Sequence, residues 1–315
     1  MASSQWVILV DPTPAKDSMS KNSLPSSARP ARPEADDIQV LLSLHEDSDA
    51  PRIVDAAIAQ FHARYGADSL APLVVVIAAL NEEQSIGSVI DEVPRTVAEL
   101  PTQVLVVDDG STDKTSTVSD EHGALVCSLA QNCGHGTALR AGYRLAREGG
   151  ARYIATLDAD GQWDPADLPA MVGLLERDEA DFVIGSRQLG RTENTDAVRN
   201  LGVRFFSKVI SALTRTRLTD SSSGLRAMRV EVTEKVRQTQ PQYQTSELLI
   251  GAIFQGYRVA EVPTVMRVRL AGVSKKGRNL FYGPRYAAVI VRTVRREWPD
   301  RVSRRPMSPK NQRAN

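Results

Sequence analysis

Tyr153-Ile154-Ala155-Thr156-Leu157-Asp158-Ala159-Asp160-Gly161-Gln162 passes abruptly from a mainly apolar run to a pair of carboxylates. The run is too short for a helix, and its composition suits a buried strand. The carboxylates then fall just past the strand's C-terminal end. The same arrangement recurs upstream. Leu73-Val74-Val75-Val76-Ile77-Ala78 reads as a strand leading into Asn81-Glu82-Glu83, and Gln103-Val104-Leu105-Val106-Val107 as one ending in Asp108-Asp109-Gly110-Ser111-Thr112-Asp113. Helical stretches are predicted from Gln84 to about Leu100, after Asp113, from Gly136 to Arg147 and through Glu176. Further strands are predicted near Ala124–Leu129 and at Phe182-Val183-Ile184-Gly185. Strands alternating with helices imply an α/β class: a mostly parallel central sheet flanked by helices. Ligands of such sheets bind beyond the C-terminal strand ends, so Glu82, Asp108, Asp109, Asp158 and Asp160 are expected to share one crevice.

The chemistry of that crevice follows from residue type. Asp158 and Asp160, two residues apart, can reach one hard divalent cation, Mg²⁺ or Mn²⁺, with the remaining oxygens coming from water and a diphosphate. Gln162 adds a neutral oxygen nearby. An acidic pair after a strand is also an ordinary helix cap, and Pro165 suits a helix start. Asp108 to Asp113 reads equally as a turn in which Ser111 or Thr112 caps the next helix, or as a carboxylate accepting from a nucleoside. Glu82 reaches a ribose or simply occupies a first helical turn. Gly134-His135-Gly136 lets backbone approach a flat ligand, but no third glycine follows at dinucleotide-fold spacing.

Elsewhere the 315 residues are 42% hydrophobic with a formal net charge of +1, enough apolar content for a globular core. Residues 1–37 are rich in Pro, Ser and charge and read as a disordered segment. Residues 38–70 read as a short helical extension with Pro51 at a break. A domain from 71 to 275 follows, then a basic amphipathic helix over 276–300 and a disordered basic tail over 301–315. From Arg267 onward fourteen Lys or Arg face only Glu297 and Asp300, which points to an anionic partner. Cys127 and Cys133 are too few for a disulfide scaffold or a zinc site. No apolar run approaches the ~18 residues that span a bilayer, so a cytoplasmic protein touching the inner membrane face is expected.

Five motifs stand in order: Ala78-Ala79-Leu80-Asn81-Glu82, Asp108-Asp109-Gly110-Ser111-Thr112-Asp113, Asn132-Cys133-Gly134-His135-Gly136-Thr137-Ala138, Asp158-Ala159-Asp160-Gly161-Gln162 and Gly185-Ser186-Arg187. Arg199-Asn200-Leu201-Gly202, Thr219-Asp220-Ser221-Ser222-Ser223-Gly224-Leu225-Arg226, Glu247, Glu261-Val262-Pro263 and Arg269, Gly272, Ser274 and Lys275 continue the set. Together, over roughly residues 72–282, they resemble family-two glycosyltransferases of the dolichol-phosphate mannosyltransferase and polyprenyl-phosphate glycosyltransferase group. Ala78 in place of the usual Pro and His135 in place of the common Lys are departures.

The resemblance implies the GT-A nucleotide-diphosphosugar transferase fold and a nucleotide-sugar donor. By it, Glu82 and Asp109 bind the nucleoside, and Ala79, Asn81, Asp108, Gly134, His135, Asp158 and Ala159 complete the donor site. Asp158, Asp160 and Gln162 hold the metal and diphosphate. Asp160, Arg226 and Glu247 form the catalytic set, and Arg187, Arg199, Arg269, Ser274 and Lys275 face acceptor phosphate. Many relatives that act on alcohols carry Glu-Asp; here Thr245-Ser246-Glu247-Leu248 has no Asp after Glu247. That favours an acceptor that is already anionic, such as a polyprenyl phosphate, whose second pKa is about 6. Glu247 then has an alternative role in ordering an arginine.

The C-terminal end supports two arrangements. Leu280, Phe281, Tyr282, Tyr286, Val289, Ile290 and Val294 alternate with Lys276, Arg278, Arg285, Arg292, Arg295 and Arg296. Such a helix lies on an anionic bilayer, or packs on its own domain with a solvated basic face. A soluble phosphorylated acceptor is the rival to the lipid. A silent binding protein and a nucleotidyltransferase fit less well: no nucleic-acid partner is expected without aromatic platforms, and Ala79-Leu80-Asn81-Glu82 stands where a triphosphate loop would be.

Overall fold

The computed structural model describes residues 49–66, 70–193, 196–240, 243–270 and 282–303. The expected segment 1–37, the extension before Asp49, residues 276–281 and the tail beyond Ser303 lie outside them. Pro51 stands in the first turn of helix α1 (Ala50–Tyr65), where its missing amide breaks nothing. Ala57, Ile58 and Phe61 lie on one face of α1 and are buried against the domain's core.

Strand β1 (Leu73–Ala79) is buried at every position. Val74, Val76 and Ala78 enter one apolar layer, and Leu73, Val75 and Ile77 the other, as period-two side chains do when both faces of a sheet are covered. Helix α2 (Ile86–Glu92) stops at Val93, seven residues short of the expected end, because the residue before Pro94 is driven out of helical geometry. The chain instead makes a hairpin: β2 (Thr96–Val97) pairs antiparallel with β3 (Leu100–Asp108) across Ala98 and Glu99, both at positive φ. Then follow α3 (Thr115–Glu121), β4 (Leu125–Ser128), α4 (His135–Glu148), β5 (Tyr153–Asp158), α5 (Leu168–Glu176) and β6 (Phe182–Thr192). The remainder is α6 (Ala197–Thr214), β7 (Arg226–Arg229), α7 (Val230–Lys235), α8 (Gln244–Phe254), β8 (Val259–Met266) and α9 (Tyr282–Ser303).

The strand order is β4-β3-β1-β5-β7-β6-β8, with β2 on the near end of β3. β4, β3, β1 and β5 run parallel, whereas β7 pairs antiparallel with both β5 and β6. The sheet is therefore mixed on its second half. β7 went unread in the sequence because four residues, two of them arginine, carry no strand pattern. α1, α4, α6, α8 and α9 contribute buried residues to one face and α2 and α5 to the other. The apolar side chains Tyr286, Val289, Ile290 and Val294 of α9 are buried in the first layer. Of the two arrangements for this helix, the structure has the one packed on its own domain.

Candidate active site

Register brings the acidic residues level. Ala79 pairs with Asp108 and Ala78 with Asp158, so β1, β3 and β5 end at one edge. Asp109 continues the ladder, its amide donating to the Ala79 carbonyl at 2.8 Å. Its carboxylate accepts from the amides of Cys133 at 2.7 Å and Gly134 at 3.0 Å, which fixes the glycine segment to the end of β3. Burial pushes this carboxyl up to about 6, against the opposing pull of those two amides. Gly110 sits at φ +76 with a Cβ position 2.4 Å from the Gln131 carbonyl carbon, so only glycine permits the contact between the two loops. His135, the first residue of α4, is exposed.

Asn81, in the left-handed region at φ +50, ties the first two loops. Its amide donates to Ser111 Oγ at 2.8 Å, and its Oδ1 accepts from the Thr112 amide at 2.7 Å. Glu82 accepts from Ser85 Oγ at 3.1 Å. Asp108 behaves differently. Ser111 N donates to its Oδ1 at 2.9 Å and Ser116 Oγ to its Oδ2. Asp108 is the turn-forming residue of the pair, and Asp109 the one that faces the loops.

Past β5, Asp158 Oδ2 accepts from the indole of buried Trp163 at 2.9 Å. Asp160 Oδ1 accepts from the Gln162 amide at 3.1 Å, and its backbone carbonyl from the Leu270 amide at 3.1 Å. The Gln162 carbonyl accepts from the Arg267 amide at 2.8 Å, so the acidic turn is laced to the chain leaving β8. From that segment Arg269 spans the crevice: it reaches Asp160 Oδ2 at 2.8 Å and Glu82 Oε1 at 3.2 Å. Residues 187 positions apart thereby join the loop after β1 to the acidic turn. Among the described residues, no three His, Cys, Asp or Glu side chains converge as a self-sufficient cation cage. Two carboxylates and an amide suit a cation that takes its other ligands from a diphosphate, and Asp160 already draws a positive partner in Arg269.

The sequence matches the Glycosyl transferase family 2 model over residues 74–237. The chain belongs to glycosyl transferase family 2. It is 31% identical over 213 residues to dodecaprenyl-phosphate galacturonate synthase of Rhizobium johnstonii, covering 65% of this chain and 62% of that protein. It is 32% identical over 203 residues to dolichyl-phosphate hexose transferase of Haloferax volcanii, covering 64% and 86%. Among solved structures it resembles glucosyl-3-phosphoglycerate synthase from Mycobacterium tuberculosis in complex with Mn²⁺, UDP and phosphoglyceric acid. That likeness has a TM-score of 0.56 at 23% identity, over 75% of this chain and 82% of the other. The fold is thus the mixed α/β fold of GT-A enzymes, and the protein is a glycosyltransferase.

In this glycosyltransferase several side chains expected at phosphate or in the catalytic set turn inward. Arg187 is buried, donating to Asp220 from Nε at 2.6 Å and from an Nη at 3.0 Å while stacking 5.4 Å from the Trp163 ring. Arg226 is buried and holds the loop before β7, donating to the carbonyls of Ser223 at 2.9 Å, Ser221 at 3.0 Å and Thr245. Burial lowers its pKa to about 10. Glu247 accepts from Thr239 N and Gln240 N, each at 3.0 Å, and from Arg296 at 2.7 Å, so it orders an arginine inside the fold. Arg199 lies in α6 with its side chain outside the described residues, as are Ser274 and Lys275.

Sequence reasoning missed Trp163, and quoted Asp220 and Glu261 in motifs without a role. Trp163 holds Asp158; Asp220 holds Arg187; Glu261 accepts from the Thr219 and Asp220 amides at 2.9 Å. The run Thr219 to Gly224 was the available signal, since such a dense polar stretch seldom lacks partners. It ends at Gly224, where a Cβ would lie 2.4 Å from Asp158 Oδ2.

Proposed function

We propose that the protein transfers one sugar, with inversion, from a UDP- or GDP-sugar to a polyprenyl phosphate at a membrane face. The position of Arg269 carries this reading. Its guanidinium lies between Glu82, on the nucleoside side, and Asp160, in the acidic turn, where a donor's diphosphate would bridge the same two regions. Asp109 and Glu82 would receive the nucleoside, beside backbone that Gly134 lets approach closely. Asp158 and Asp160, with Gln162, would hold Mg²⁺ or Mn²⁺, which supplies neutralisation of charge developing on the departing nucleotide. Arg269, released from Asp160, would then donate to phosphate oxygens, for which its planar fork is suited. Trp163 keeps one Asp158 oxygen oriented throughout.

What Glu247 does, with no Asp after it to serve as base, supports a phosphate acceptor. With its carboxylate engaged by two amides and Arg296, it is not disposed to take a proton from an alcohol. A phosphate monoester needs no such base. The names of the two relatives, each a synthase or transferase acting with a polyprenyl-type phosphate, support the same acceptor. A soluble phosphorylated acceptor is the second reading. It is favoured by the fold likeness to a structure holding phosphoglyceric acid, and no helix among the described residues is long and apolar enough to cross a membrane.

Incubation with labelled UDP- and GDP-sugars, Mn²⁺ and a short-chain polyprenyl phosphate tests the reading. Label is expected in the organic phase. Label found only in a water-soluble product would sink the lipid acceptor, and transfer undiminished by chelator would sink the metal.

A further inference from the structure

Helix α6 has an unusual outward face. Its inner residues are accounted for: Phe206 meets the Tyr286 ring edge-on at 4.6 Å, Ser207 Oγ lies 3.1 Å from Ser221 Oγ, and Ile210 and Thr214 are buried. Yet one turn apart on the other side, Leu201 is 69% and Phe205 58% exposed. Arg204 donates to Gln188 Oε1 at 2.8 Å, which brings this face beside Leu189, itself half-exposed. Between residues 197 and 219 the sequence has Arg199, Arg204, Lys208, Arg215 and Arg217 and no acid. Arg204, Lys208 and Arg215 are exposed. Large apolar tips on a helix that carries basic side chains and, after the exposed Asp196 at its start, no acid complement an interface that is anionic outside and apolar beneath.

α9 makes the weaker candidate. Its principal apolar stripe is buried in the domain, and its exposed Val291 and Trp298 stand two turns apart, Trp298 with its ring 6.2 Å from Phe254. We infer that α6, through Leu201 and Phe205, docks the enzyme on an anionic lipid bilayer. The inference deepens the acceptor reading and rests on it: α6 touches the Ser221 loop that runs to Gly224 and Asp158, so docking here sets the crevice beside the lipid surface.

Co-sedimentation of the full chain with phosphatidylcholine vesicles, with and without phosphatidylglycerol, is the test. Binding is expected only with the anionic lipid, and Leu201→Glu with Phe205→Glu should lower the partition coefficient about tenfold or more. Melting should stay within about 2 °C of the parent, since both side chains are exposed. Lys208→Glu with Arg215→Glu, which leaves the apolar pair intact, should weaken binding in the same direction. Unchanged partition in both variants would overturn the inference. So would loss of binding only in Val291→Glu with Trp298→Glu, or a wild type that ignores vesicles but falls from dimer to monomer on the α6 substitutions. The assay contains neither donor nor acceptor, so a wrong acceptor leaves it unaffected. A wrong docking face, conversely, leaves transfer to a detergent-dispersed short-chain acceptor unaffected.

Discussion

At the open end of the sheet Asp108, Asp109 and Asp158 are held by backbone amides, a hydroxyl and an indole, while Glu82 and Asp160 also share Arg269 across the crevice. Around β6, β7 and α8 the buried Arg187, Asp220, Arg226 and Glu247 pair with one another, with backbone groups or with Arg296, whereas the basic side chains of α6 stay exposed. Asp109 on two amides and Asp158 on one indole belong to the first kind; Arg187 on Asp220 and Arg226 on three carbonyls belong to the second. A carboxylate anchored by neutral donors keeps its charge for an incoming ligand. A charge already neutralised by a buried partner serves as scaffold.

Asp160 and Glu247 test the contrast most closely, since each pairs with an arginine but Glu247 also accepts from the Thr239 and Gln240 amides. Asp160→Asn should cut transfer by roughly a hundredfold or more while the fold survives, because stabilising the charge that develops at the reacting group supplies much of the rate enhancement. Glu247→Ala should do the reverse. It leaves Arg296 and two amides without their acceptor and should cost about 3–5 kcal/mol in urea unfolding, with kcat per folded molecule preserved. Equal losses of activity at equal stability would erase the distinction. Trp163→Phe probes the support beneath: the ring remains aromatic but the donor to Asp158 goes. Mn²⁺ affinity, read by titration, should fall about tenfold, as for other lost outer supports of metal ligands. A change in melting alone would make Trp163 mere packing.

The smallest effect concerns pH. Asp109 has an ordinary value of 3.8 raised to about 6 in the fold, chiefly by burial. The native state therefore holds a proton that the unfolded chain has already released, and stability falls as pH rises through that window. Asp109→Asn should flatten the slope of unfolding midpoint between about pH 4 and pH 6. An unchanged slope would mean that the carboxylate is better solvated than its neighbours imply.

The acidic edge of the sheet was legible because two local signals coincide there: β-branched runs define the strands, and polarity changes sign at their ends. Asp109 and Asp160 needed nothing more distant than the next strand. The fate of Arg187 and Arg226 was not legible, since motif spacing says which residues are near in sequence and not whether they point in or out; for Glu247 the role of ordering an arginine was legible, but not which arginine. Asp220 and Arg296 had to be known as partners, 33 and 49 positions away. Arg269 combined both problems, being expected at phosphate and found between two carboxylates. In the C-terminal helix the apolar stripe was read correctly as a stripe, but its periodicity is the same whether lipid or protein covers it.

The short strand β7 is the mechanical key of the domain. Its four residues are the hydrogen-bonded seam between β5, which ends at Asp158, and β6, which leads to Arg187. A slip of one residue along that seam would displace one half by about 3.3 Å and turn its side chains over. Arg226, pegged into carbonyls of the loop before β7 and of the first turn of α8, works as a dowel against such a slip. The alignment of the two halves thus rests less on the length of the seam than on one guanidinium driven through its end.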